Sequence, residues 1–240
     1  MDAPITTKKT TPSKARVAIF FFVILLLITV VASFFLRTSE PSYAGVSLGV
    51  LCERIYDSHE NQAEAMKAVH NIGFNAVPWL LNEMRSSERT LRSRANELLA
   101  RQSFVKWRFE KPSTSWSRAM CGFLALGGEG SQAIPELENM VTQENPRCLM
   151  ATMSLAGIGH EAVPLLCRHL TNESMHVASA VAASIPKAAY FGRLHDEDLK
   201  LLLSVMRDQS KWTNDFMSEA ITKIESIRLL KVKQQNHEAK

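Results

Sequence analysis

Residues 72–81 read IGFNAVPWLL, and residues 158–167 read IGHEAVPLLC. The two stretches share six of ten positions, namely the isoleucine, glycine, alanine, valine, proline and second-to-last leucine. A third copy, LGGEGSQAIPEL at residues 126–137, keeps the leucine–glycine and alanine–isoleucine–proline parts, with three extra residues between them. A short pattern that recurs at intervals of tens of residues is typical of proteins built from stacked structural repeats.

The glycines and prolines of this pattern predict a helix, a tight corner and a second helix. The glycine can adopt the left-handed conformation that ends the first helix. A polar residue such as Asn75 can then cap the second helix. Proline is tolerated in the first turn, because the N–H groups there have no helical acceptor. The corner residues are Gly73, Pro78, Gly127, Pro135, Gly159 and Pro164.

Apolar residues at helical spacing continue the pattern on both sides of each corner. Residues 88–102 also read as helical, whereas FVKWRFEKPSTSW at residues 104–116 contains Pro112 and predicts a longer loop. Residues 174–206 resemble a degenerate copy of the repeat, in which the first helix is expected to end near Pro186. A last amphipathic helix is expected over about residues 214–231.

The I-G-x-x-A-V-P-x-L pattern resembles the HEAT-repeat superfamily of stacked helix pairs. EPSYAGVSLGVL is similar to the opening segment of bacterial membrane-anchored HEAT-repeat proteins, where an E-P-x-Y-x-G-x-x-L run precedes the first repeat. The matching residues are Glu40, Pro41, Tyr43, Gly45 and Leu48. That family often has a tryptophan a few residues later, where this chain has Cys52. The resemblance covers roughly residues 40–210. It implies an all-α fold, a right-handed α-solenoid of HEAT-like helix pairs at residues 47–232, with residues 233–240 as a frayed tail.

The most apolar part of the chain precedes the repeats. Residues 17–36 contain no charge, and Arg16 and Arg37 bracket them. A helix of this length rises about 30 Å, the thickness of a bilayer hydrocarbon core. A buried core helix would be shorter and amphipathic, and a cleavable signal peptide has an apolar stretch of only about 7–15 residues. We therefore expect one uncleaved N-terminal transmembrane helix.

The flanking charges predict the orientation of this helix. Residues 1–37 hold five basic residues and one acidic residue, which leaves 23 of the 28 basic and 23 of the 24 acidic residues on the remainder. Excess Lys and Arg mark the cytoplasmic side. Because the excess lies on the tail, nucleic acid is not an expected partner. The predicted order is a cytoplasmic basic tail (1–16), a transmembrane helix (17–36), a linker (37–46) and a repeat domain outside the cytoplasm, in a single-pass inner-membrane protein.

The four cysteines, Cys52, Cys121, Cys148 and Cys167, form no C-x-x-C motif. Buried, reduced side chains on helix faces are one interpretation. Disulfides are the other, since a domain outside the cytoplasm meets oxidising conditions. Four cysteines allow three pairings, and the sequence does not choose between them.

GVSLG at residues 45–49 fits G-x-S-x-G, the nucleophile elbow of serine hydrolases. An elbow needs a strand before the serine and a helix after it, in a parallel sheet. The apolar segment ends shortly before this stretch, and no alternation of strands and helices follows it. We therefore expect Ser47 to be the N-cap of a helix that begins LGVLCERI, with Gly45 in a turn.

His-Glu pairs occur at His59, His160 and His237, and they resemble the iron-binding pairs of HEAT-repeat hydroxylases. In those enzymes the pair opens the first helix of a repeat, whereas His160 lies in a corner and the other two lie elsewhere. Cys167 and His169 are two residues apart, which on a helix points them to different sides. We expect no catalytic residue, cofactor or metal, and a metal-dependent enzyme on the same solenoid is the alternative.

Residues 85–118 hold nine basic residues against three glutamates, interleaved with four aromatic residues. Arginine and aromatic side chains are frequent anchors of binding surfaces. Beside a membrane they can also contact anionic head groups, and a solvated helix face with core aromatics is a further interpretation. The candidate partner-binding patch comprises Arg85, Arg89, Arg92, Lys106, Trp107, Arg108 and Trp116.

Stacked repeats present an extended surface that suits binding of proteins and peptides. The expected function is therefore that of a membrane-anchored, non-catalytic scaffold or adaptor, which binds a protein or peptide partner outside the cytoplasm. The alternatives are the metal-dependent enzyme and a module that binds anionic lipid surfaces.

Overall fold

A computed structural model describes residues 24–25, 40–57, 61–86, 112–142, 147–172, 174–208 and 215–238. The chain divides into two units, residues 1–39 and 40–240. In the first unit only Ile24 and Leu25 are described, and both are helical. The tail at residues 1–16 and the rest of the segment at residues 17–36 lie outside the described residues. Among the residues that are described, no helix is both long enough and apolar enough to cross a membrane.

The second unit is mostly helical, which confirms the all-α class. Within the residues that the structure describes, its helices are α1 (Leu48–Asp57), α2 (Gln62–Ile72), α3 (Val77–Arg85), α4 (Pro112–Leu126), α5 (Ile134–Val141), α6 (Cys148–Ile158), α7 (Val163–Leu170), α8 (Met175–Tyr190), α9 (Asp196–Asp208) and α10 (Asp215–Glu238).

A short antiparallel hairpin of β1 (Ser42–Tyr43) and β2 (Val46–Ser47) precedes α1. Ala44 and Gly45 connect the strands with φ angles of 49° and 79°. Two central residues with positive φ are the mark of the tight turns that match the twist of paired strands. Residues 40–46, predicted as linker, thus belong to the second unit. The sequence did not indicate the hairpin, because two-residue strands are too short to show alternation.

Each repeat corner combines a glycine with a 3₁₀ segment, which begins at the glycine in the first two corners and directly after it in the third. Gly73, Gly127 and Gly159 have φ angles of 64°, 61° and 97°. The ψ angles of Gly73 and Gly159 are −150° and −136°. These two glycines therefore adopt an extended mirror-image conformation that is open essentially to glycine alone, and not the left-handed helical one that the sequence suggested. The 3₁₀ segments are Gly73–Ala76, Gly127–Ala133 and His160–Ala162.

The helix after each corner begins without a side-chain cap. Asn75 lies inside the 3₁₀ segment, so the prediction that it caps α3 is wrong. The 3₁₀ turn satisfies the first N–H of α3 instead, because the N–H of Val77 donates to the carbonyl of Phe74. The prolines in the first turns are Pro78, Pro135 and Pro164. The residues just before these helices are the fully buried alanines Ala76, Ala133 and Ala162.

The helices pack against their neighbours in chain order. Helices α2, α4, α6, α8 and α10 contact one another in succession, and α1 packs on α2 and α4. Alongside them, α3 packs on α4, α5 on α6, α7 on α6 and α8, and α9 on α7 and α10. Helix α6 is nearly all apolar because it is enclosed by neighbours. Gly157 permits the close approach of α6 to α4, since a Cβ there would lie 2.9 Å from the Cα of Leu124.

Three helix boundaries differ from the sequence pattern. Pro112 begins α4, so Pro112–Trp116 is helix and not the predicted loop; proline is well suited to a first helical position. Helix α8 runs through Pro186 to Tyr190, because Ala188 and Ala189 pack into the core beyond it. Helix α10 continues to Glu238, into the stretch predicted as frayed tail.

Candidate binding groove

A cavity of about 490 Å³ opens between the β-hairpin, α1 and α2. We call it the hairpin groove. Its most buried side chains, Leu51, Ala65 and Ala68, are apolar. The remaining lining residues are Tyr43, Ala44, Val46, Arg54, Asn61, Glu64, Lys67 and Asn71. An apolar floor with polar groups around it is the usual construction of a ligand site in a protein.

Hydrogen bonds hold the hairpin against the two helices. The amide N–H of Gly49, in the first turn of α1, donates to Oε1 of Glu40 at 2.6 Å. The amide of Leu48 donates to the carbonyl of Pro41 at 2.9 Å. On the other side, Nδ2 of Asn71 donates to the phenol oxygen of Tyr43 at 3.1 Å. The wall of the groove is therefore tied to both helices that form its floor.

The GVSLG stretch ends this hairpin. Ser47 pairs with Ser42 in a two-stranded antiparallel sheet, whereas a nucleophile elbow belongs to a parallel sheet. The prediction that Ser47 caps α1 is wrong. Glu40 supplies the acceptor for the N–H of Gly49, and a carboxylate is also favoured by the positive end of the helix dipole. A local motif cannot reveal a cap that comes from nine residues upstream.

Two residues of the predicted basic patch lie within the described residues. Arg85 forms a two-pronged ion pair with Glu136 of α5, with N···O distances of 2.5 and 2.7 Å. Trp116 is only 4% exposed, and its indole N–H donates to the carbonyl of Ser86. Trp116 therefore belongs to the core and not to an exposed surface. Arg89, Arg92, Lys106, Trp107 and Arg108 lie outside the described residues, and their part of the patch stays a prediction.

His160 of the third corner binds the next helix pair. Its Nδ1 lies 2.7 Å from Oδ1 of Asp198, while Oδ2 of Asp198 accepts the amide N–H of His195 at 2.9 Å. The hydrogen bond and then the charge of Asp198 raise the pKa of His160, and Glu161 and Glu197 add to this effect. No sequence motif joins these residues, because 38 positions separate them.

Three His-Glu pairs, at His59, His160 and His237, are the candidate metal ligands that the sequence offers. Among the described residues, no three His, Cys, Asp or Glu side chains are grouped so that they could hold a metal ion. Nδ1 of His160 is occupied by the contact with Asp198. His59 lies outside the described residues, as does the side chain of His237. His169 is buried, and burial and then Arg168 lower its pKa.

None of the four cysteines forms a disulfide. Cys52, Cys121 and Cys148 are buried, and Cys167 is partly buried. Burial raises the pKa of Cys52 well above its ordinary value, and Cys121 raises it further. Burial, followed by the charge of Asp198, also raises the pKa of Cys167. A raised pKa lowers the thiolate fraction and with it the reactivity of the sulfur.

Two of the corner glycines, Gly73 and Gly159, lie against groups from later parts of the chain. A Cβ at Gly73 would lie 3.0 Å from a carboxylate oxygen of Glu129. A Cβ at Gly159 would lie 2.4 Å from the carbonyl oxygen of Arg193. The guanidinium of Arg193 also reaches back to the carbonyl of Ala125 at 2.9 Å, at the end of α4. These two glycines thus permit close contacts between repeat units as well as the turns within them.

Comparisons of this chain with protein-family models, with curated proteins and with solved structures found no match. The candidate function therefore depends on the residues and contacts described above.

Proposed function

We propose that the protein is a non-catalytic scaffold of HEAT-like helix pairs, anchored in the membrane by residues 17–36, which binds a protein or peptide partner through the hairpin groove. The observation that carries this proposal is the apolar floor of Leu51, Ala65 and Ala68 beneath a polar rim. The floor offers area to an apolar side chain, and the rim offers hydrogen bonds that orient the peptide.

The packing order supports the finer proposal of a right-handed α-solenoid. Helix pairs contact chiefly the pairs before and after them. Contact restricted to neighbouring units is the defining property of repeat proteins. A glycine with positive φ recurs at the corner of each of three units, at Gly73, Gly127 and Gly159.

The rim of the groove indicates the charge of the partner. Arg54 and Lys67 line it together with a single carboxylate, Glu64, so the rim carries one excess positive charge. A segment that places an acidic residue beside an apolar one complements both the rim and the floor. Complementary charges mainly speed association and exclude wrong partners.

A displayed peptide library, panned on the full-length protein, tests this proposal. We expect enriched peptides to combine an apolar residue with a nearby Asp or Glu. Arg54→Glu should abolish the enrichment, while the control Lys187→Glu on α8, which lines neither described cavity, should leave it unchanged. Equal enrichment on the two variants, or peptides without acidic residues, would contradict the assignment.

The proposed location has a separate test. Residues 17–36 should keep the chain in the membrane pellet after alkaline extraction, and a reporter fused after Lys240 should be active only outside the cytoplasm. A reporter active in the cytoplasm would overturn the orientation without affecting the groove.

A further inference from the structure

A second cavity of about 490 Å³ lies between α1 and α4. Its volume falls within the range of about 300–1,000 Å³ that is common for small-molecule sites. The cavity shares no lining residue with the hairpin groove. Its lining residues are Glu53, Tyr56, Ser113, Thr114, Ser117 and Arg118, and we call it the hydroxyl cavity.

The charges of the hydroxyl cavity oppose each other. Nε of Arg118 lies 3.8 Å from Oε1 of Glu53, and Nη2 lies 3.7 Å from Oε2 of Glu83. The side chain of Arg118 is only 14% exposed, so it stays between these carboxylates. Among the lining residues themselves, one carboxylate, Glu53, stands against one guanidinium, Arg118, so the lining carries no net charge. The cavity therefore favours a ligand without net charge.

The hydrogen-bonding groups of the lining point to a particular ligand chemistry. The hydroxyls of Ser113, Thr114 and Ser117 both donate and accept. The carboxylate of Glu53 only accepts, and the guanidinium of Arg118 only donates. A ligand that carries several hydroxyl groups can satisfy all of these partners, because each of its hydroxyls also donates and accepts.

Tyr56 adds an aromatic surface beside these polar groups. Its side chain belongs to the lining and is 63% exposed, so its ring is accessible to a ligand. The ring of a sugar presents an apolar C–H face and a rim of hydroxyls. Such a ring can stack on a phenol while its hydroxyls reach the side chains opposite.

We propose that the hydroxyl cavity binds a neutral sugar residue, with Tyr56 against the face of the sugar ring and Glu53 and Arg118 hydrogen-bonded to its hydroxyls. This site is distinct from the hairpin groove, so either proposal can fail without the other.

Saturation-transfer difference NMR and titration on the full-length protein test the site. The sugars are cellobiose and N,N′-diacetylchitobiose, both neutral disaccharides, with inorganic phosphate and lysinamide as charged comparators. An amine-oxide detergent is required, because glycoside detergents would themselves present a sugar. The matched variants are Tyr56→Ala and Tyr190→Ala. Tyr190 is 73% exposed on α8 and lines neither cavity.

We expect at least one disaccharide to bind, and Tyr56→Ala to weaken that binding about ten-fold, the usual scale for loss of an aromatic anchor. Tyr56→Phe should retain most of the affinity because it keeps the ring, and Tyr190→Ala should bind as the wild type does. Circular dichroism checks that the variants are folded. Absence of sugar binding, tighter binding of phosphate or lysinamide, or equal loss in the two alanine variants would overturn the proposal.

Discussion

Gly159→Ala should destabilise the protein much more than Gly73→Ala, although the two glycines occupy equivalent places in their repeats. Both have positive φ with ψ near −140° to −150°. Forcing alanine into such a conformation costs about 1–3 kcal/mol at either position.

The atoms that surround each glycine explain why the two substitutions should differ in their cost to stability. At Gly73 the added Cβ meets the carboxylate of Glu129 at 3.0 Å, and this flexible side chain can move away. At Gly159 it meets the carbonyl oxygen of Arg193 at 2.4 Å, so backbone must shift. Overpacking of this kind costs about 1–3 kcal/mol. The totals are therefore about 1–3 kcal/mol for Gly73→Ala and about 2–6 kcal/mol for Gly159→Ala.

Urea unfolding followed by circular dichroism measures both free energies. An unchanged m-value is required, because it shows that the same cooperative unit unfolds in each variant. If Gly159→Ala costs no more than Gly73→Ala, then the contact between the corner at Gly159 and the carbonyl of Arg193 does not constrain the fold.

Three further outcomes are expected. Glu40→Ala should lower the free energy of unfolding by about 1 kcal/mol through loss of the α1 cap, while Ser47→Ala should change it by less than about 0.5 kcal/mol; urea titration of both decides between these caps. Trp116→Phe should cost about 1 kcal/mol through loss of the indole hydrogen bond; urea unfolding measures this cost, and an unchanged free energy of unfolding would contradict the contribution of that bond. His160 has a raised pKa in the folded protein because it binds Asp198, so its contribution to stability is complete below about pH 6.5 and is lost as pH rises through the raised value. Wild type should therefore lose more thermal stability than His160→Gln between about pH 6 and 9, and parallel curves would exclude this pairing.

The repeated motif identified the corners because its signals are local. The steric rules that assign Gly73 and Pro78 to a corner act within a few residues of the chain. The sequence did not reveal ψ at Gly73, because both conformations with positive φ suit glycine equally. Nor did it place Trp116. An aromatic residue among arginines fits an exposed binding surface and a core-facing helix equally well, and only the neighbouring helices decide between them.

Sequence patterns could not identify the residues of the hairpin groove, for a similar reason. Tyr43 and Asn71 meet across 28 positions. Leu51 reads as an ordinary core residue of an amphipathic helix, and nothing in its own segment shows that it forms the floor of a cavity.

By itself the sequence determined the helical class and the positions of the corners, since backbone sterics and apolar periodicity act over a few residues. The tertiary structure decided which groups complete those elements. Glu40 rather than Ser47 caps α1, Asp198 holds His160, and the carbonyl of Arg193 explains why Gly159 must be glycine. These partners are distant along the chain, and they meet only because the helix pairs pack side by side.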